Sequence, residues 1–187
     1  MFTQPNIGKV VLDILPEKGN ARNSEGAFIT LKDGSIMFIY SKFRADGFYD
    51  VASADLEAIL SSDEGETWTD SRTVVSRTDH KALNIMSVTL MRMMNGDIGL
   101  YYLVRAGNND LRTHLRRSSD EGGTWSAAEL CIPPSGYYVV NNDRVVRLSD
   151  NRLIIPAAFH RNGTVSAENP GVQWDSRGEV IFFISDD

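Results

Sequence analysis

Short apolar runs alternate with polar turn clusters along almost the whole chain. Ala27–Leu31 and Ser35–Tyr40 flank Lys32-Asp33-Gly34. Val88–Arg92 and Ile98–Leu103 flank Asn95-Gly96-Asp97, and Val145–Leu148 and Arg152–Ile155 flank Ser149-Asp150-Asn151. Each trio reads as two strands joined by a tight hairpin, because Gly, Asn and Asp supply the turn geometry that such hairpins require. No stretch keeps a 3.6-residue apolar period over three turns, so helices are expected to be scarce. Each unit reads strand, hairpin, strand, loop, strand, Asp-containing hairpin, strand. Four antiparallel strands per unit is the make-up of a β-propeller blade, and the predicted class is all-β.

One phrase is repeated almost verbatim. Ser61-Ser62-Asp63-Glu64-Gly65-Glu66-Thr67-Trp68 returns as Ser118-Ser119-Asp120-Glu121-Gly122-Gly123-Thr124-Trp125, with Asp63 and Asp120 57 residues apart. Ser185-Asp186-Asp187 reads as the start of a third copy, with Asp186 66 residues beyond Asp120. Gly65 and Gly122 permit positive φ, the aspartates can bind backbone N–H groups of their own turn, and the indoles can seal gaps between units. The phrase is therefore expected to be a structural staple. A cation loop is the weaker alternative, because each copy has few convergent oxygens. Repeats of this kind divide the chain into units at roughly 20–80, 81–136 and 137–187 of a single region, with the last unit expected to be incomplete.

Aligning the hairpin residues Gly34, Gly96 and Asn151 places Glu25, Ser87 and Asn142 nine positions earlier in each unit. In a propeller the first strands line a central channel with ligands at its mouth. The polar segments Arg22–Glu25, Asn84–Ser87 and Asn141–Arg144 are therefore expected to converge. Lys42, Arg105 and His160 end the second strands and are expected to give that mouth positive character.

Composition adds bounds. The chain has 187 residues, 42% hydrophobic and 24% charged, with a net charge of −6. No basic run exceeds Arg116-Arg117, which argues against nucleic acid or an anionic membrane as partner. Cys131 is the single cysteine, so no intrachain disulfide can form. Neither a secretory signal nor an apolar span is visible; a cytoplasmic location is the simplest expectation, and secretion followed by removal of a signal peptide is the alternative. His80, His114 and His160 lack metal-ligand spacing, and no nucleotide-binding glycine motif or G-x-S-x-G elbow is present, so no cofactor is expected.

The phrase S-x-D-x-G-x-T-W resembles the Asp-box of sialidases (neuraminidases) and related BNR-repeat proteins. The stretch Arg147–His160 is similar to that family's third-blade strand pair. The resemblance implies a six-bladed propeller, of which about three blades are present, and a glycoside hydrolase acting on a terminal sugar. It implies an arginine triad, an Asp acid/base and a Tyr–Glu nucleophile. Asp50, on the loop before the first Asp-box, takes the acid/base role, with Asp46 second. Arg22 takes the place of the first arginine, although Asn23-Ser24 follow it where the family has Ile-Pro. Glu25 is a candidate second carboxylate, and Tyr138 (like Tyr137) can stack on a sugar ring. Asn84, Arg105, Asn142, Asp143, Arg144 and His160 complete the expected substrate contacts. The remaining arginines and the Tyr–Glu pair would come from a second half. A non-catalytic carbohydrate-binding or scaffold propeller is the competing expectation, and exposed unit faces are expected to self-associate.

Overall fold

The computed structural model describes residues 8–44, 47, 49–161 and 175–185. Twelve strands are formed among them: β1 (Asn20–Thr30), β2 (Ile36–Arg44), β3 (Ala54–Ser61), β4 (Arg72–Val75), β5 (Asn84–Arg92), β6 (Ile98–Gly107), β7 (Asp110–Ser118), β8 (Glu129–Leu130), β9 (Tyr137–Val139), β10 (Val146–Arg147), β11 (Leu153–His160) and β12 (Glu179–Ser185). The described residues contain no α-helix, and a single 3-10 turn spans Arg77–His80. No helix among them is long and apolar enough to cross a membrane.

Strands β1 to β4 form one antiparallel sheet in chain order. The other strands follow the path β10-β11-β9-β7-β6-β5, with β12 on β11 and β8 on β7. A parallel bridge between Leu111 and Tyr137 joins the second unit to the third. Here the third unit departs from its expected form. Its first strand is split, with β9 pairing the far end of β11 and β10 pairing the near end, and residues 140–145 lie between them.

The alternation of side chains along each strand sorts the core into two layers. Ile98, Leu100, Tyr102 and Val104 of β6 join Met37, Ile39, Leu56 and Ala58 of the first sheet. Tyr101 and Leu103, on the opposite face of β6, pack with Leu153, Ile155 and Ala157 of the third unit. This double burial explains why Ile98–Val104 is a nearly unbroken apolar run rather than an alternating one. At the outer edge of the third unit, Val180, Phe182 and Ile184 of β12 are exposed.

The repeated phrase is a self-bonded turn. Ser61 Oγ donates to Asp63 Oδ1 at 2.9 Å and accepts from Gly65 N at 2.8 Å. Asp63 accepts from Thr67 N at 2.8 Å and from the Thr67 hydroxyl at 2.6 Å. Ser118, Asp120, Gly122 and Thr124 repeat all four bonds. The Thr124 N–H and hydroxyl hold the Asp120 carboxyl down at about 2. Carboxylates whose oxygens are used this way serve the turn, and the described residues include no metal-holding cluster of His, Cys, Asp and Glu.

The second turn also joins sheets. Glu121 accepts from Arg92 at 2.6 and 2.8 Å and from Lys32 N at 2.9 Å. Arg92 further donates to Thr30 O at 3.1 Å, and Arg147 donates to Arg92 O in the same way one unit later. Thr30, Arg92 and Arg147 each stand four residues before their hairpin residue, so the contact is a repeating rung.

Strand register corrects the third copy of the phrase. Ser61 pairs with Ile36, Ser118 with Ile98 and Ser185 with Leu153, each two residues past the hairpin residue. Ser185 is therefore the counterpart of Ser61 and Ser118. Counting from it, Asp187 rather than Asp186 matches Asp63 and Asp120. Both terminal aspartates lie outside the described residues.

Candidate functional site

The strands run between two ends. Hairpins and Asp-boxes occupy one end, and Asp50 lies at the other, on the turn between β2 and β3. Three cross-strand pairs, one per unit, mark that second end: Arg22 with Phe43, Asn84 with Arg105, and Tyr137 with His160. Phe43, Arg105 and His160 each lie nine residues beyond their hairpin residue. The counterpart of Arg105 and His160 in the first unit is thus Phe43. Lys42, expected there, instead sits 3.7 Å from Glu17.

Each pair makes its own contact. The Arg22 guanidinium lies over the Phe43 ring, 3.8 Å from its centroid, and donates to Asp50 Oδ1 at 2.8 Å. The Asp50 side chain is 76% exposed. Asn84 is fully buried, and its amide donates to Asp50 O at 3.0 Å and to Ala52 O. Arg105, also buried, donates to Val51 O at 3.0 Å and to Asn108 Oδ1 at 2.8 Å. Tyr137 is buried beside Arg105, and desolvation raises its phenol pKa against the pull of that guanidinium. The Tyr137 and His160 rings meet edge to face at 6.4 Å. His160 Nδ1 donates to Asp175 O at 3.1 Å.

The candidates counted back from the hairpins fall elsewhere. Glu25 is the surplus residue of a β-bulge between the Ser24–Ser41 and Gly26–Tyr40 pairs, and it accepts from Ser24 Oγ. Ser87 and Val88 together oppose Tyr102 in the equivalent bulge of β5. Ser87 has φ +58° and Asp143 has φ +54°, in the left-handed region where few side chains sit comfortably. Asn142 and Asp143 lie in the break between β9 and β10. Asn142 Oδ1 accepts from Val88 N at 2.9 Å, Asp143 N donates to Val88 O at 2.9 Å, and Arg144 N donates to Thr89 Oγ1 at 3.1 Å. The side chains of Asp143 and Arg144 are left exposed. Bulges of this kind re-aim side chains and gather near active sites.

Arg22 and Asp50 are thus in direct contact, and Asn84 and Arg105 reach the same loop through its carbonyls. Asn142, Asp143 and Arg144 join the second and third units. Tyr138 is buried in the core, stacked on Phe159 at 4.9 Å and edge-on to Phe183 at 5.4 Å. Asp46 lies outside the described residues. Phe43 carries no charge or catalytic chemistry that would single it out in the sequence. Counting forward nine residues from each hairpin finds the second-strand member of all three pairs.

A second polar cluster sits apart from this one. His80 Nε2 lies 2.9 Å from the Tyr102 hydroxyl, which also accepts from Arg116 Nε at 3.1 Å. The hydroxyl thus bridges His80 and Arg116. Burial first, and then His114 and Arg116, push His80 down to about 4.

Comparison with known proteins agrees with this architecture. Residues 52–187 match the BNR repeat-like domain, and the chain belongs to that family. A Hadza microbial sialidase superposes at TM-score 0.66 and 18% identity, over 90% of this chain and 36% of its own. The NanB sialidase from Streptococcus pneumoniae gives 0.62 and 11%, over 100% and 45%. The GH93 alpha-L-arabinofuranosidase of Fusarium graminearum, solved with arabinobiose, gives 0.57 and 18%, over 82% and 42%. At such identities the likeness is one of fold. The chain spans between about a third and a half of the length of these three proteins. Comparison with curated proteins gave no match.

Proposed function

We propose that this BNR-repeat chain forms three blades of a six-bladed propeller whose mouth binds a terminal sugar for hydrolysis, as an exo-sialidase or a related exo-glycosidase. The observation that carries the reading is Asp50: an exposed carboxylate, held by Arg22, on a loop whose backbone is fixed from the neighbouring unit. Asp50 is the general acid that protonates the leaving glycosidic oxygen and later the base that activates water. Arg22, braced on Phe43, orients that carboxylate and offers the free N–H groups of its terminal nitrogens to the sugar. Asp143 and Arg144, exposed at the seam of the second and third units, are the next candidates for contact with the sugar. The exposed faces of the first and third units are the surfaces against which the rest of the ring, or a second copy, packs.

A carbohydrate-binding propeller without catalysis is the second reading. It is favoured by one observation: among the described residues, Asp50 and Arg22 bond to each other and to no second carboxylate. One assay separates the two, using the longest natural form of the chain against fluorogenic sialosides and neutral glycosides, beside Asp50→Asn. Hydrolysis of one substrate, lowered about 10²–10⁴-fold by the substitution, is the expected result. Sugar binding with no hydrolysis of any glycoside would leave the binding module.

A further inference from the structure

We propose that Asn84 and Arg105 are positioning residues: they act on the Asp50 loop through its carbonyls and do not touch the sugar. The inference rests on Asp50 as the reacting carboxylate. Three successive carbonyls, those of Asp50, Val51 and Ala52, accept from two side chains of the second unit. Those side chains are cross-strand partners on β5 and β6, so one sheet face presents both. Asn84 has no exposed surface and Arg105 is only 5% exposed.

Among the described residues, the loop's own backbone bonds include a turn from Ala52 N to Tyr49 O and a closing bond from Arg44 N to Ser53 O. Carbonyls turned toward a neighbouring sheet must find donors there or stay unsatisfied. A neutral amide and a guanidinium meet this need with donors alone. Because both come from the second unit, the position of Asp50 depends on how the first two units pack. Holding a reacting group in place lowers the barrier without adding a substrate contact.

The test is hydrogen exchange across residues 44–53 in the wild type, Asn84→Ala, Asn84→Asp and Glu121→Ala. Asn84→Ala is expected to speed exchange at the Ala52 and Arg44 amides about tenfold or more, as the loss of one or two hydrogen bonds implies. Asn84→Asp keeps the shape but has no N–H to give, so it is expected to match the alanine variant. Glu121→Ala loosens the same two units at their far end and is expected to leave these amides within about twofold. Wild-type protection in either Asn84 variant overturns the proposal. On whichever glycoside the wild type hydrolyses, Asn84→Ala is expected to lower kcat about 10–100-fold with KM within about twofold. A raised KM at unchanged kcat would also overturn it, because that is the signature of a lost substrate contact. If the wild type hydrolyses nothing, the glycosidase reading fails while exchange still decides whether Asn84 holds the loop.

Discussion

Asn142 stands in the sequence as a ligand contact, yet in the structure its Oδ1 accepts from Val88 N at 2.9 Å. Val88 is fully buried and lies in the β5 bulge, where the ladder with β6 offers its N–H no partner. Asn142→Ala leaves that N–H unpaired. An orphaned buried donor costs about 1–3 kcal/mol. Asn142 itself is partly open, so water can reach the gap and the lower half of that range applies, about 1–2 kcal/mol. Asn142→Asp keeps an acceptor at the same place and is expected to cost less than about 0.5 kcal/mol, since charge-assisted bonds are at least as strong. Urea unfolding at one fixed protein concentration measures the difference. With a slope of about 2 kcal/mol/M, the alanine variant should lower the midpoint by about 0.5–1 M at unchanged slope. Equal losses in the alanine and aspartate variants would refute the reasoning, because then the acceptor would not be what matters. No loss in either would show that the N–H is served without Asn142.

Two further outcomes follow from the packing. The His80 pKa, lowered to about 4 from 6.5, means the fold accommodates the neutral ring. Its contribution is complete above pH ~6.5 and is lost as pH falls toward 4. Discounted for partial exposure, it amounts to about 1–2 kcal/mol. The urea midpoint should fall further from pH 7.5 to 4.5 in wild type than in His80→Phe, whose side chain does not titrate, and equal falls would count against the neutral assignment. Gly65 and Gly122 both have positive φ, at +90° and +85°, so alanine strains either by about 1–2 kcal/mol. Only at Gly122 would the new Cβ also meet Met37, at 2.9 Å, whereas at Gly65 the nearest atom is 3.7 Å away. Gly122→Ala should therefore lower the thermal midpoint more than Gly65→Ala, and the reverse order would mean that Met37 swings aside freely.

Much of the fold could be read in the chain because its signals are local. A Gly or Asn at a hairpin, an alternating strand and an Asp-box each bond within a few residues of themselves. Ser61, Asp63 and Thr67 complete their turn without help from another unit. The split of the third unit's first strand was not legible. Val140 and Val145 are both buried, and an apolar pattern looks the same whether the backbone between them pairs or swings out. What swings it out is tertiary: Val88 and Thr89 of the second unit capture residues 142–144.

The site was less legible than the fold for a related reason. Counting back nine residues from each hairpin lands on Glu25, Ser87 and Asn142, which lie at the very irregularities that disturb the count. In β1 and β5 the bulge adds one residue, so Arg22 and Asn84 both lie twelve before their hairpin residue, whereas Tyr137 lies fourteen before its own. The second strands carry no such insertion between the hairpin and the Asp50 end, and forward counting keeps its register to Phe43, Arg105 and His160. The repeat is therefore strict at the Asp-box end and relaxed at the end that holds Asp50. At the first end every unit must make the same rung to its neighbour, as Arg92 and Arg147 do. At the other, the three pairs Arg22–Phe43, Asn84–Arg105 and Tyr137–His160 share a position and nothing of their chemistry. Identical units cannot build an asymmetric pocket, so a ligand site on this fold has to be assembled where the units differ. That places the search for any partner residue of Asp50 at further pairs of this register, not at the repeated phrase by which the chain is first noticed.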